Sequence, residues 1–177
     1  MFVKTIEVFL SGIIMGVLTG PIFSIMGVYT GDNAINYYAE VHQSKWSSVV
    51  HTVGMPFTYY GLLLCVAPLF GMNLENTLLL QMFFYSYFIS YYLSLNKTIG
   101  ILVAICYLPS QIGAMYFYNN SPDRIWVIIY GLSIAFSALM VQEIFGHWLG
   151  GDEPSRIEGI PNAIWHAGYY SIWHLVT

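Results

Sequence analysis

Three histidines, His42, His51 and His147, are the side chains of this sequence best suited to chemistry. Imidazole is the commonest metal ligand. Glu143 stands four residues before His147, on the same face if the segment is α-helical. Two histidines and one carboxylate, with coordination positions left open, form a ligand set that binds non-haem Fe(II). Without an ion, the same Glu and His would make an ordinary hydrogen bond or ion pair. Two further histidines, His166 and His174, recur with Tyr170 at four-residue steps, and Trp165, Tyr169 and Trp173 make the adjoining side aromatic. One account of that segment is an amphipathic helix lying in a membrane interface. The other is a lid that turns His166, and with less claim His174, toward the metal.

The elements that must position these residues are apolar. The 177-residue chain is 57% hydrophobic and 8% charged, against roughly 25% charged for a soluble domain. Its net charge of −4 is spread out, which excludes the basic footprint of a nucleic-acid binder. Spans of about 20 apolar residues are expected at Val8–Tyr29, Val49–Phe70, Thr77–Leu95, Ile99–Phe117 and Ile125–Leu149. A shorter stretch, Ile160–Val176, is either a sixth, tilted span or an interfacial helix. The expected fold is an all-α, integral-membrane helical bundle of five to six spans. Residues 1–177 form one transmembrane domain, with residues 1–30 as an extra N-terminal span. Lys4 before an apolar run suggests a signal peptide, but Glu7 and the absence of a small-x-small cleavage site favour a retained span.

Counting crossings brings the histidines together. Call the side where the second span begins the active face. Spans three and four leave and return, so span five ends on that face, and His42, His51, His147 and His166 all fall there. His174 lies two turns beyond His166, roughly 12 Å deeper if that helix runs inward. Orientation is weakly set: Lys45, Lys97 and Arg156 on the active face against Lys4 and Arg124 opposite tilt that face toward the cytosol.

Other features read as architecture. Gly12, Gly16 and Gly20 form a smooth stripe for close helix approach. Pro56, Pro68 and Pro109 should bend their spans, and the aromatic run from Phe83 to Tyr92 suits packing or interface anchoring rather than an acyl slot. Cys65 and Cys106 are packing residues in apolar segments. Asp152, Glu153 and Glu158 are expected to be solvated charges in a polar link. The sequence has no phosphate-binding Gly loop, Gly-x-Ser-x-Gly elbow or His-Glu-x-x-His.

Tyr38-Ala39-Glu40-Val41-His42, followed by Ser47, His51 and Pro56, resembles the N-terminal motif of a family of small multispanning membrane proteins. The family's fungal member is a 2-hydroxy fatty acid dioxygenase of the endoplasmic reticulum. A second motif, Gly146-His147 followed by Glu153-Pro154-Ser155-Arg156 and Asn162 to Tyr170, completes a similar region over residues 38–170. Family members usually carry Asn where Ser47 stands, Gln where Glu143 stands, and an acidic residue where Gly151 stands. His166 and His174 have no clear counterpart.

The resemblance implies an endoplasmic-reticulum membrane enzyme that uses Fe(2+) and O2 to shorten a 2-hydroxy fatty acid by its carboxyl carbon. His42, His51 and His147 would be its ligands; on the residues alone, Glu143 is a candidate ligand or orienting partner and His166 a further candidate ligand or proton relay. A 2-hydroxy carboxylate can chelate a hard metal through two oxygens while its tail stays among the helices. Two other readings fit the residues: a zinc-dependent lipid amide hydrolase, and a non-enzymatic membrane scaffold or carrier whose histidines are interface groups.

Overall fold

A computed structural model describes residues 2–25, 35–36, 38–40, 42–69, 71–121, 123–153 and 160–177. Almost all of these are helical, and no strand occurs among them. The helices are α1 (Phe2–Ile25), α2 (Lys45–Leu69), α3 (Leu74–Leu95), α4 (Lys97–Asn120), α5 (Arg124–Val141) and α6 (Ile160–Val176). A π-helical turn, Gln142–Trp148, prolongs α5. Among the described residues, five segments are long and apolar enough to cross a membrane: Lys4–Ile25, Lys45–Val66, Leu74–Leu95, Lys97–Asn120 and Arg124–Trp148. The protein is thus an all-α bundle whose composition suits integral-membrane embedding. The end of the expected first span, beyond Ile25, lies outside the described residues, as do Arg156 and Glu158.

Short polar links start each new helix. Asn73 accepts a hydrogen bond from the Asn76 N–H, Asn96 from the Ile99 N–H, and Asp123 from the Ile125 N–H. Each satisfies a donor that the first helical turn leaves open. The link before α3 turns at Gly71, whose φ of 69° is the left-handed region. Arg124 ties the same end of the bundle by donating to the carbonyls of Gly71 and Met72.

Glycines set the helix pairings. The Cα atoms of Gly12 and Gly16 press on Ser86 and Ser90 of α3, where any side chain would collide with backbone as well. Thr19 extends the contact by donating to the Tyr87 hydroxyl at 2.9 Å, and Lys4 pairs with Glu75 at 3.3 Å. Gly20 faces open space, so the stripe works through two of its three members. On the other side, Gly61 of α2 and Gly131 of α5 each abut the other's carbonyl, bringing α2 and α5 together antiparallel.

The sixth segment takes neither orientation in the simple form expected. The Tyr92 hydroxyl donates to the Trp165 carbonyl, and Tyr91 meets His166, both near the C-terminal end of α3. At the other end of α6, His174 meets Ser48 near the start of α2. Both ends of α6 therefore sit at one end of the bundle, and the helix lies across it. His174 is consequently not deeper than His51. Nor is α6 a surface helix with a wet polar face, because His166, Tyr169, Tyr170 and Ser171 are all buried. Two of its polar side chains bond inside the protein: Ser171 with Tyr38 at 2.8 Å and His166, through Nε2, with Tyr91 at 2.6 Å.

Candidate metal centre

His42 lies just before α2, His51 on its second turn, and His147 in the π-helical turn. The fold brings all three together. The Nε2 atoms of His42 and His51 are 3.2 Å apart, and those of His51 and His147 are 3.1 Å apart. One ligand atom from each ring falls within 4.8 Å of the others. All three side chains are buried, at 5%, 5% and 1% exposure.

The outer nitrogens decide what the inner ones carry. His42 Nδ1 faces the Tyr38 carbonyl at 3.2 Å, and His147 Nδ1 faces the Glu153 carbonyl at 2.6 Å. His51 Nδ1 faces Gln142 Oε1 at 2.9 Å. The Gln142 amide is itself oriented, since its Nε2 donates to Thr58 Oγ1 and to the Ala138 carbonyl, both at 3.0 Å. Each Nδ1 meets an acceptor and therefore carries a proton. That leaves each Nε2 as the nitrogen that faces the shared centre and that can offer a lone pair there. Three lone pairs so close repel one another unless a cation sits among them. Nitrogen–zinc bonds are about 2.0–2.1 Å, so ligand nitrogens on one ion sit roughly 3 Å apart, as the His42–His51 and His51–His147 pairs do. The donor set and its hydrogen-bonded outer partners fit a divalent metal.

The segment before α2 and the link after the π-helical turn close over the centre. The Tyr38 ring stacks on His42 with centroids 3.7 Å apart and planes 6° from parallel. Asp152 accepts from the backbone N–H groups of Gln43 and Ser44, and its own N–H donates to the His147 carbonyl. It is therefore not the solvated charge expected from the sequence. Its carboxylate sits at the N-terminus of α2, where the helix dipole favours a negative charge, and it straps the His147 link to the His42 link. Burial, and then the nearby His51 and His147 rings, push His42 down to about 2. It is neutral and ready to ligate.

The π-helical turn explains where Glu143 goes. In an α-helix, residues four apart share a face, which pairs Glu143 with His147. A π-helix bonds i to i+5, and the His147 carbonyl accepts from the Asp152 N–H five residues on. Gln142, five residues before His147, is buried with it and holds His51, while Glu143 is half-buried. The imidazole group does not include the Glu143 carboxylate, although Glu143 is within electrostatic reach of His51. His166 is also outside the group. Its Nε2 bonds the Tyr91 hydroxyl, and its ring lies 5.2 Å from Tyr170, which is 5.4 Å from Tyr38. Sequence reasoning missed Gln142, Tyr38 and Asp152 as parts of the site. The signal for Gln142 was a buried amide beside Glu143 in an apolar span.

Comparison with protein-family models, with curated proteins and with solved structures returns no match.

Proposed function

We propose that this protein is a membrane-embedded, iron(II)-dependent dioxygenase that shortens a 2-hydroxy fatty acid by one carbon. The supporting observation is the convergence of three buried imidazoles, each oriented by a separate acceptor, at one end of an apolar bundle. The resemblance adds weight, because its two motifs supply the three ligands. The overall change balances as the 2-hydroxy acid plus O2 giving the acid one carbon shorter, carbon dioxide and water. A bound iron(II) would supply open coordination positions and one-electron chemistry toward O2.

The chain's own residues do the rest. Tyr38, Gln142 and the Glu153 carbonyl hold the rings in one tautomer, and α6 with Tyr38 shields the centre from the aqueous side. Ser47 lies one turn before His51 on the same face of α2, fully buried, with no hydrogen-bond partner for its hydroxyl. It is placed to donate to an oxygen of a bound carboxylate. A site near the end of α2, about 9 Å from its first residue, suits a polar head on a lipid tail.

A second reading rests on the donor set itself. Three histidines with no carboxylate among them also form the zinc site that generates hydroxide for hydrolysis. Metal analysis of protein purified without oxygen, combined with oxygen uptake on a 2-hydroxy fatty acid, separates the two. Iron with stoichiometric oxygen uptake is expected. Zinc with amide hydrolysis and no oxygen uptake would replace the proposal with the second reading.

A further inference from the structure

Among the described residues, His166 is the one buried histidine that the metal group leaves out. Its Nε2 meets the Tyr91 hydroxyl at 2.6 Å, at the short end of hydrogen-bond distances. Tyr91 is 0% exposed and His166 1%, so water does not compete for the bond. The phenol is the acid of this pair and the imidazole the base. The Tyr91 O–H has this single partner, so it donates and the Nε2 accepts. Other tyrosines of the bundle bond groups too weakly basic to take a proton. Tyr38 meets a hydroxyl, Tyr59 an amide, and Tyr85 and Tyr92 backbone carbonyls. Leucine and phenylalanine would hold α3 against α6 without burying polar groups. A phenol bonded to a buried base has a chemistry that packing does not call for.

That chemistry is one-electron oxidation. A phenol that loses an electron becomes a strong acid and must release its proton. Away from water, the proton can leave only to a base already within hydrogen-bond reach, as His166 is. The electron also has a route. The His166 ring lies 5.2 Å from Tyr170, Tyr170 lies 5.4 Å from Tyr38, and Tyr38 stacks on His42 at 3.7 Å. Each step is ordinary ring contact or closer, and all four residues are buried. The row therefore runs unbroken from the Tyr91–His166 pair to a ring of the imidazole centre.

We propose that Tyr91 is a redox-active tyrosine, with His166 as its proton acceptor, that gives an electron to the imidazole centre through Tyr170 and Tyr38. The inference rests on the iron-enzyme reading for the electron's destination, but not for the Tyr91–His166 pair itself. With hydrogen peroxide as the oxidant, the step balances. Peroxide takes one electron from iron(II) and one from Tyr91, and with two protons from the medium becomes two waters. The other products are iron(III), the Tyr91 phenoxyl radical and a His166 ring that carries the phenol's proton on Nε2. Oxidising equivalents that reach the centre without a substrate thus end on Tyr91, away from the ligands.

The test uses the full-length protein in phosphatidylcholine nanodiscs, loaded with iron(II) without oxygen, mixed with hydrogen peroxide and frozen at increasing delays. Electron paramagnetic resonance should show a tyrosyl radical. Ring-difluorinated tyrosine placed at position 91 should add fluorine splitting to that signal, with the fold undisturbed. Tyr91→Phe should remove most of the signal while iron content stays at the wild-type level, because Tyr91 is not in the imidazole group. His166→Gln keeps a hydrogen-bond acceptor but no base, and should remove it as well. Tyr170→Phe keeps the ring and should slow its rise. A second arm needs no metal. An ultraviolet flash on the metal-free protein ejects electrons from its tyrosines, and the Tyr91 radical should outlast the others because its proton has a base to go to. Tyr91→Phe and His166→Gln should both lose that long-lived component. A long-lived component without any iron binding would remove the electron's destination, and the iron reading with it, while the pair stands. A peroxide radical without fluorine splitting, or a flash component that survives Tyr91→Phe, would overturn the proposal. Iron-loaded protein that gives no radical with peroxide would overturn it too.

Discussion

Gly54 and Gln142 face each other so closely that a methyl group on Gly54 would come within 2.6 Å of the Gln142 Cγ. The contact is with the middle of the glutamine side chain, so the amide could not stay in place. Gly54→Ala should therefore act on the metal site without touching a ligand. Outer partners of ligating histidines typically contribute 10–100-fold to metal affinity. Gly54→Ala and Gln142→Leu should each weaken metal binding by about that factor, read by competition with a chromogenic chelator. Wild-type affinity in both would show that Gln142 does not orient His51.

Removing one ligand of three should have nearly the effect of removing two. His51→Ala and His147→Ala are each expected to copurify with little metal, and the double variant with no less. Elemental analysis of detergent-purified protein reads this directly. A double variant with unchanged metal content would point instead to the scaffold or carrier reading.

Asp152 bonds two backbone N–H groups at the start of α2. Loss of such a cap costs about 1 kcal/mol. Asp152→Ala should lower the unfolding temperature modestly and speed metal loss to a chelator, because the link holding His147 is no longer tied to the link holding His42. Faster metal loss with an unchanged unfolding temperature would mean that the strap acts on the site alone.

The α1–α3 contact should be separable from the centre. Gly16→Leu forces a side chain into the backbone of α3, an overpacking error of about 1–3 kcal/mol. Thermal unfolding should fall accordingly, while metal stoichiometry stays at the wild-type value because no ligand or ligand partner lies on α1.

Acid should destabilise the metal-free protein in a defined direction. His42 titrates near 6.5 when unfolded and is pushed down to about 2 when folded. The unfolded chain thus takes up the proton first. The contribution of neutral His42 to stability is complete above pH 6.5 and is lost as the pH falls from there toward about 2. Chelator-treated protein should unfold at a constant temperature above about pH 7 and at falling temperatures below pH 6.5. His42→Gln should flatten that slope. Equal slopes in the two proteins would exclude His42 as its source.

Much of this was legible in the sequence, and the misses share a cause. Apolar length and short links yielded five spans, and counting crossings placed His42, His51 and His147 at one end. Those inferences need only hydrophobicity and parity, which sequence carries plainly. Gln142 was missed because helical periodicity assumes a four-residue step, and the π-helical turn breaks it. Asp152 was read as solvated because a carboxylate in a polar link gives no sign of which backbone groups it will meet. The direction of α6 depends on where Tyr91, Tyr92 and Ser48 stand in other helices, which no local pattern in residues 160–176 records.

The five-residue step between Gln142 and His147 has a consequence for chain length. A π-helical turn is one residue more than an α-helix would need over the same rise. Excising Glu143 would let the segment close up as ordinary α-helix, with the glutamine then four residues before the histidine and still on its side. A protein shortened in this way should keep its ion if Glu143 is a spacer, and lose it if that carboxylate takes part in holding the metal.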